Sequence, residues 1–187
     1  MLANPPRRRL LTVAAAIAAT AGIARAARAA TPYREISWND LIPKDWDPMK
    51  EFKDLQHLAN ASDTDARVQQ LYDRMREVWD GAPTVNALAG QAIKLPGYVV
   101  PLEETKAGMR EFLLVPYFGA CIHSPPPPAN QIVHVRAASP VKNVRTMDAV
   151  WVRGTLDIKR ANSAMGVSGY TLAASSVVKY TGKAGGP

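Results

Sequence analysis

Cys121 is the single cysteine of the chain, and His123 stands two residues after it. In an extended segment residues i and i+2 project on one face, so thiol and imidazole would point the same way, as a chelating pair or a thiolate–imidazole pair requires. A hairpin over residues 124–130 would return His134 to that pair. The three side chains would then form a Cys–His–His set with an open fourth position. Thiolate and imidazole both suit Zn²⁺ and copper, so zinc, or copper in its place, is the cofactor such a set would take. The same residues also permit nucleophilic catalysis by Cys121, with His123 lowering the thiol pKa and backbone N–H groups forming an anion hole. No Asp or Glu lies close in sequence to orient the imidazole, which weighs against an enzyme without deciding the matter. In a third reading Cys121 is a small buried apolar side chain, and Tyr98, Tyr117 and Phe118 line a groove for a peptide, lipid or glycan.

Pro125, Pro126, Pro127 and Pro128 follow the Cys–His pair. Four prolines fix a stiff, extended loop without N–H donors, either as a brace beside Cys121 or as a recognition surface. Asn130 and Gln131 supply side chains able to satisfy that loop's free carbonyls. His57, beside Leu55 and Leu58, reads as a structural residue.

These residues need elements to hold them. Runs rich in β-branched and aromatic residues predict strands near 91–102, 110–118, 131–136, 148–159 and 169–180. Five strands at short spacing predict a mainly β chain, a five-stranded OB-like Greek-key barrel occupying residues 86–183. Pro96, Pro101 and Pro116 should then lie at bulges, strand ends or exposed edges, with Gly97 and Gly154 at the bends. Before the barrel, Val68, Leu71, Tyr72, Met75, Val78 and Trp79 recur at helical steps. They predict one amphipathic helix over 65–80, N-capped from residues 63–65 and stopped by Gly81 and Pro83. Residues 31–48 mix Trp38, Trp46 and prolines into an irregular arm whose apolar groups should dock on the domain body. Arm and helix together make an N-terminal helical arm over 31–85.

Residues 1–30 carry the marks of a cleavable export signal. Arg7, Arg8 and Arg9 precede an apolar stretch, Leu10 to Ile23, too short to span a bilayer comfortably, and Ala-x-Ala matches follow at residues 24–26 and 27–29. The adjacent arginines also fit a twin-arginine signal. The expected location is periplasmic, with no transmembrane segment in the mature chain. Of 23 Lys and Arg against 16 Asp and Glu, five Arg fall in the leader, which leaves 18 against 16. A near-neutral, exported barrel argues against a nucleic-acid partner. One cysteine also excludes an internal disulfide framework.

The runs Leu95-Pro-Gly-Tyr-Val-Val-Pro-Leu-Glu103 and Glu111-Phe-Leu-Leu-Val-Pro-Tyr-Phe-Gly-Ala-Cys-Ile-His123, followed by Pro-Pro-Pro-Pro-Ala-Asn-Gln131, resemble a family of exported bacterial proteins known as a domain of unknown function with an OB-like barrel. Ser37-Trp-Asn-Asp-Leu-Ile-Pro43 resembles its usual opening, and the likeness runs from about residue 36 to residue 180. Members of that family are often encoded beside ABC transporter subunits of the lipoprotein-release or macrolide-exporter type, some in zinc-responsive clusters. The resemblance therefore implies an accessory or binding protein of an ABC transport system, with an ABC membrane subunit as partner and zinc handling centred on Cys121 and His123. His134 lies just outside the string.

Overall fold

The computed structural model describes residues 32–50, 52, 62, 64–103, 105–120 and 127–182. The leader, His57, Cys121, His123, Pro125 and Pro126 lie outside these residues.

Five long strands form the body of the fold: β2 (Ala92–Pro101), β3 (Met109–Val115), β4 (Val133–Val141), β5 (Ala149–Asp157) and β8 (Tyr170–Lys179). Their lateral order is β2-β3-β4-β8-β5, and β5 pairs back onto β2, so the sheet closes into a barrel. β5 lies between β8 and β2 rather than beside β4, and β4 and β8 run parallel. This is the Greek-key connectivity expected of an OB-type barrel.

Alternating burial along β5 and β8 sends Val150, Val152, Leu156, Tyr170, Leu172 and Ala174 inward. There they meet Ile93, Leu95, Val99, Phe112, Leu114, Val133 and Val135 in one core. β3 departs from alternation, because Phe112, Leu113, Leu114 and Val115 are all buried. Its outward residues are covered by a second, smaller cluster of Val100, Leu113, Val115, Ala120 and Ile132. A continuous apolar run is the signature of a strand buried on both faces.

Helix α1 (Ala66–Asp80) starts on Asp65, whose carboxylate accepts the Arg67 N–H, and ends at Gly81. The arm is more regular than its composition suggests. β1 (Arg34–Glu35) adds in parallel to β2, and Trp38–Leu41 makes a 3₁₀ turn. Ile36 and Leu41 enter the main core. The Trp38 indole N–H donates to the Pro96 carbonyl at 2.8 Å. Tyr170 fastens the arm from within: its hydroxyl donates to the Leu41 carbonyl at 2.8 Å and accepts the Val85 N–H at 2.7 Å.

Several boundaries differ from the sequence reading. β3 ends at Val115, so Pro116, Tyr117 and Phe118 belong to the following turn. β4 begins at Val133 and runs to Val141, while Ala129–Gln131 forms a 3₁₀ turn. A short hairpin, β6 (Ala161–Ser163) with β7 (Gly166–Ser168), precedes β8 and has no counterpart among the expected strands. Gly154 stands at a register shift between β5 and β8, where a Cβ would lie 2.2 Å from the Ala173 carbonyl oxygen. Gly97 lets the arm approach, since a Cβ there would lie 2.7 Å from Leu114 and 2.9 Å from the Trp38 ring.

Candidate functional site

Strand alternation decides which polar groups gather on the outside of the barrel. Phe112 and Leu114 point into the core, so Glu111 and Leu113 point out. On β4 Val133 and Val135 point in, and His134 and Arg136 point out. The register places Glu111 opposite Arg136 and Leu113 opposite His134. Glu111 therefore meets both β4 groups: one carboxylate oxygen lies 3.1 Å from His134 Nε2, and the other lies 3.1 Å from the Arg136 guanidinium.

The cluster is partly sheltered. The His134 side chain is 13% exposed and that of Glu111 34%. Burial alone would raise the Glu111 pKa. The Arg136 hydrogen bond and charge, with the smaller contribution of His134, outweigh it and hold the carboxyl below the usual glutamate range. An ionised Glu111 holds the imidazole by Nε2. His134 Nδ1 has no hydrogen-bond partner among the described residues.

Leu113, directly across the ladder from His134, belongs to the second cluster. Ala120, the residue immediately before Cys121, is buried in that cluster, as is Ile132, which lies beyond the prolines. Both ends of the segment bearing the Cys–His pair are thus fixed beside β3 and β4. The Gly119 N–H donates to Met147 Sδ at 3.4 Å, and Met147 adopts a left-handed φ of 63°.

The other expected site residues divide. Tyr98 is half-buried and meets the exposed Phe118 edge to face, with ring centroids 5.9 Å apart. Tyr117 is exposed on the same turn. Pro127 is buried and Pro128 half-buried. Asn130 and Gln131 do satisfy carbonyls, but chiefly of distant segments: Asn130 Nδ2 donates to Pro83 at 3.0 Å and Gln131 Nε2 to Trp38 at 3.0 Å. They tie the end of the proline segment to the arm and to the residues after α1. The Asn130 Oδ1 is buried without a hydrogen-bond partner among the described residues. Among the described residues no three His, Cys, Asp or Glu side chains come together as a metal-binding group.

Glu111 and Arg136 were not singled out from the sequence. Their signal is present, however, in two polar residues at i and i+2 on one strand, His134 and Arg136, and an acid opening the apolar run of the strand before. An imidazole held by a carboxylate and bearing a second ring nitrogen is the usual condition of a metal-ligating histidine. It is equally the condition of a general base beside a thiol.

The chain is similar to a solved structure from Pseudomonas aeruginosa PAO1, the crystal structure of a DUF3299 family protein. The two are 39% identical, the match covers 81% of this chain and 99% of that one, and the TM-score is 0.61. No functionally curated protein matches the chain. Residues 38–179 match the family described as Protein of unknown function (DUF3299), and the chain belongs to that family.

Proposed function

We propose that the protein is an exported OB-type binding module that holds a transition-metal ion, zinc ahead of copper, through Cys121, His123 and His134. The observation that carries this reading is the His134–Glu111 contact at 3.1 Å on a side chain only 13% exposed. Ligating histidines depend on such a partner for ring orientation and tautomer, and losing it costs about 10- to 100-fold in metal affinity. The donor set of one thiolate and two imidazoles suits zinc and copper alike. Delivery to or from an ABC transport system is the role proposed for it, which rests only on what the family resemblance implies.

The test is metal content by elemental mass spectrometry on protein purified from the periplasm without chelator or His tag. Near-stoichiometric zinc in the parent, absent in Cys121→Ser and reduced in His134→Ala and Glu111→Gln, is the expected result. Metal-free protein that also takes up neither Zn²⁺ nor Cu⁺ would overturn the reading.

The Glu111–His134 contact also favours a second reading, a thiol-dependent enzyme with Cys121 as nucleophile, in which His134 rather than His123 would be the imidazole that Glu111 orients. That reading expects iodoacetamide to react with Cys121 faster than with a free thiol near neutral pH, and the excess rate to fall in Glu111→Gln.

A further inference from the structure

β4 and β8 are parallel partners as far as Ala137 and Ala174, and there they separate. Residues 138–140 of β4 have no ladder partner among the described residues, since β4 rejoins β3 only where Val141 meets Met109. β8 steps off its register with β5 at the same level, between Arg153 and Gly154. The diverging strands wall a cleft of about 270 Å³ lined by residues 137–142 and 174–177.

β8 keeps its other neighbour through this region, with Val177 opposite Val152 and Lys179 opposite Val150 on β5. The Tyr180 N–H donates to the Ala149 carbonyl at 2.9 Å, which fixes the phase of that ladder. Backbone groups of an antiparallel strand point alternately towards the partner and away from it. Those of Val177 and Lys179 therefore face the edge that β4 has left. A row of unpaired N–H and C=O groups is a template for an added strand. The facing edge of β4 carries Pro140, which has no N–H to offer, so β8 is the pairing edge.

Charge identifies the guest. Lys142 lines the cleft, the Arg110 guanidinium reaches the Ala138 carbonyl at 3.5 Å, and Arg153 lies opposite Ser176. Among the described residues no acidic side chain lines the cleft. Lys142 and Arg153 make no ion pair among the described residues. At β spacings of ~3.3 Å along a strand, ~4.8 Å between strands and ~10 Å between layers, one residue takes on the order of 160 Å³. The cleft encloses about two guest residues by that measure, and the remainder lies along the open edge past Val178, itself 46% exposed.

We propose that this cleft docks an acidic, extended segment of a partner protein, which adds a strand to the free edge of β8. The proposal is independent of the metal reading. The probe is a fluorescein-labelled peptide of about eight residues alternating Glu and Thr, titrated at low salt with the full mature protein and read by anisotropy. Saturable binding is expected, weakened at least about tenfold in the Lys142→Glu, Arg153→Glu double variant. The same peptide N-methylated at alternate backbone nitrogens should not bind, because the strand hydrogen bonds are lost while the charge is kept. Absence of binding by the unmodified peptide would overturn the proposal. So would equal binding of the N-methylated peptide, or displacement of the peptide by an equally charged oligothymidylate at equal concentration, since either means that charge alone is recognised. The N-methyl comparison uses unaltered protein and stands even if the double variant fails to fold.

Discussion

Tyr170→Phe isolates one hydroxyl that joins three distant parts of the chain. Tyr170 is fully buried, and its hydroxyl lies between the Leu41 carbonyl and the Val85 N–H, with neighbours 129 and 85 residues away in sequence. Phenylalanine keeps the ring in the core and removes only the oxygen. The loss is then two hydrogen bonds whose partners cannot both turn to water. A buried group left unsatisfied costs about 1–3 kcal/mol. Leu41 is fully buried, so its carbonyl belongs in the upper part of that range, whereas Val85 is half-buried and its N–H belongs lower. Together they set an expected loss of about 2–4 kcal/mol. For a protein of this size that corresponds to a fall in Tm of roughly 5–15 °C. Urea unfolding followed by far-UV circular dichroism measures it, with an unchanged m-value showing that the denatured state is not the cause. Hydrogen exchange adds a local reading: the Val85 amide should lose protection beyond the global loss, while the amides pairing β5 with β8 should not. A variant within about 0.5 kcal/mol of the parent would refute the reasoning, because it would mean that the arm does not depend on this hydroxyl.

Gly154→Ala should destabilise by about 3 kcal/mol or prevent folding, because the new methyl would meet backbone rather than a movable side chain; a urea midpoint equal to the parent's would contradict this. The Glu111 carboxyl is lowered in the fold, so its stabilisation is complete above the ordinary value of 4.5 and is lost as pH falls through the folded value. Glu111→Gln should accordingly flatten the acid limb of the stability curve, and an unchanged slope below that pH would count against the cluster. Asp65 is lowered to about 2, first by the Arg67 side-chain hydrogen bond and then by the Arg67 N–H. The helix cap it makes should hold above its ordinary value of 3.8 and weaken as pH falls towards 2, while Asp65→Asn, which still caps, should make helix content independent of pH over that window; a parent helix signal that is flat there would refute the assignment.

The barrel was legible because each of its strands carries its own local evidence. Alternation in DAVWVRGTLDIK and in GYTLAASSVVKY survives in the burial of β5 and β8, and the bend reserved for Gly154 is a register shift. α1 was legible for the same reason, its period and Asp65 cap being local. Elements that depend on distant partners were less so. β1 is two residues long and exists only because β2 offers it an edge. The reach of β4 to Val141 crosses Ala-Ser-Pro, a stretch that propensity excludes and that tertiary pairing at Met109 restores.

The polar cluster failed to emerge for a sharper reason. Glu111 and His134 are 23 residues apart, and their meeting depends on a register that a one-residue slip would invert, sending Glu111 into the core. Reading β3 as far as residue 118 and β4 from residue 131 leaves that register undefined, since both errors fall at the ends facing the connecting segment. What fixes it is the second cluster: Leu113 and Val115 must be covered on the outer face, and Ala120 and Ile132 cover them. Once Leu113 is held outward, Glu111 shares its face, and His134 and Arg136 follow across the ladder. The apolar residues on either side of the Cys–His segment thus set the orientation of a histidine that the sequence had linked to that segment only through an expected hairpin over residues 124–130. Leu113→Ser should on this argument loosen His134 as well as the second cluster. Broadening of the His134 ring resonances by NMR, in a variant whose circular dichroism still reports a folded barrel, is the expected result. A sharp, unshifted imidazole signal would break the connection between the apolar cover and the polar cluster.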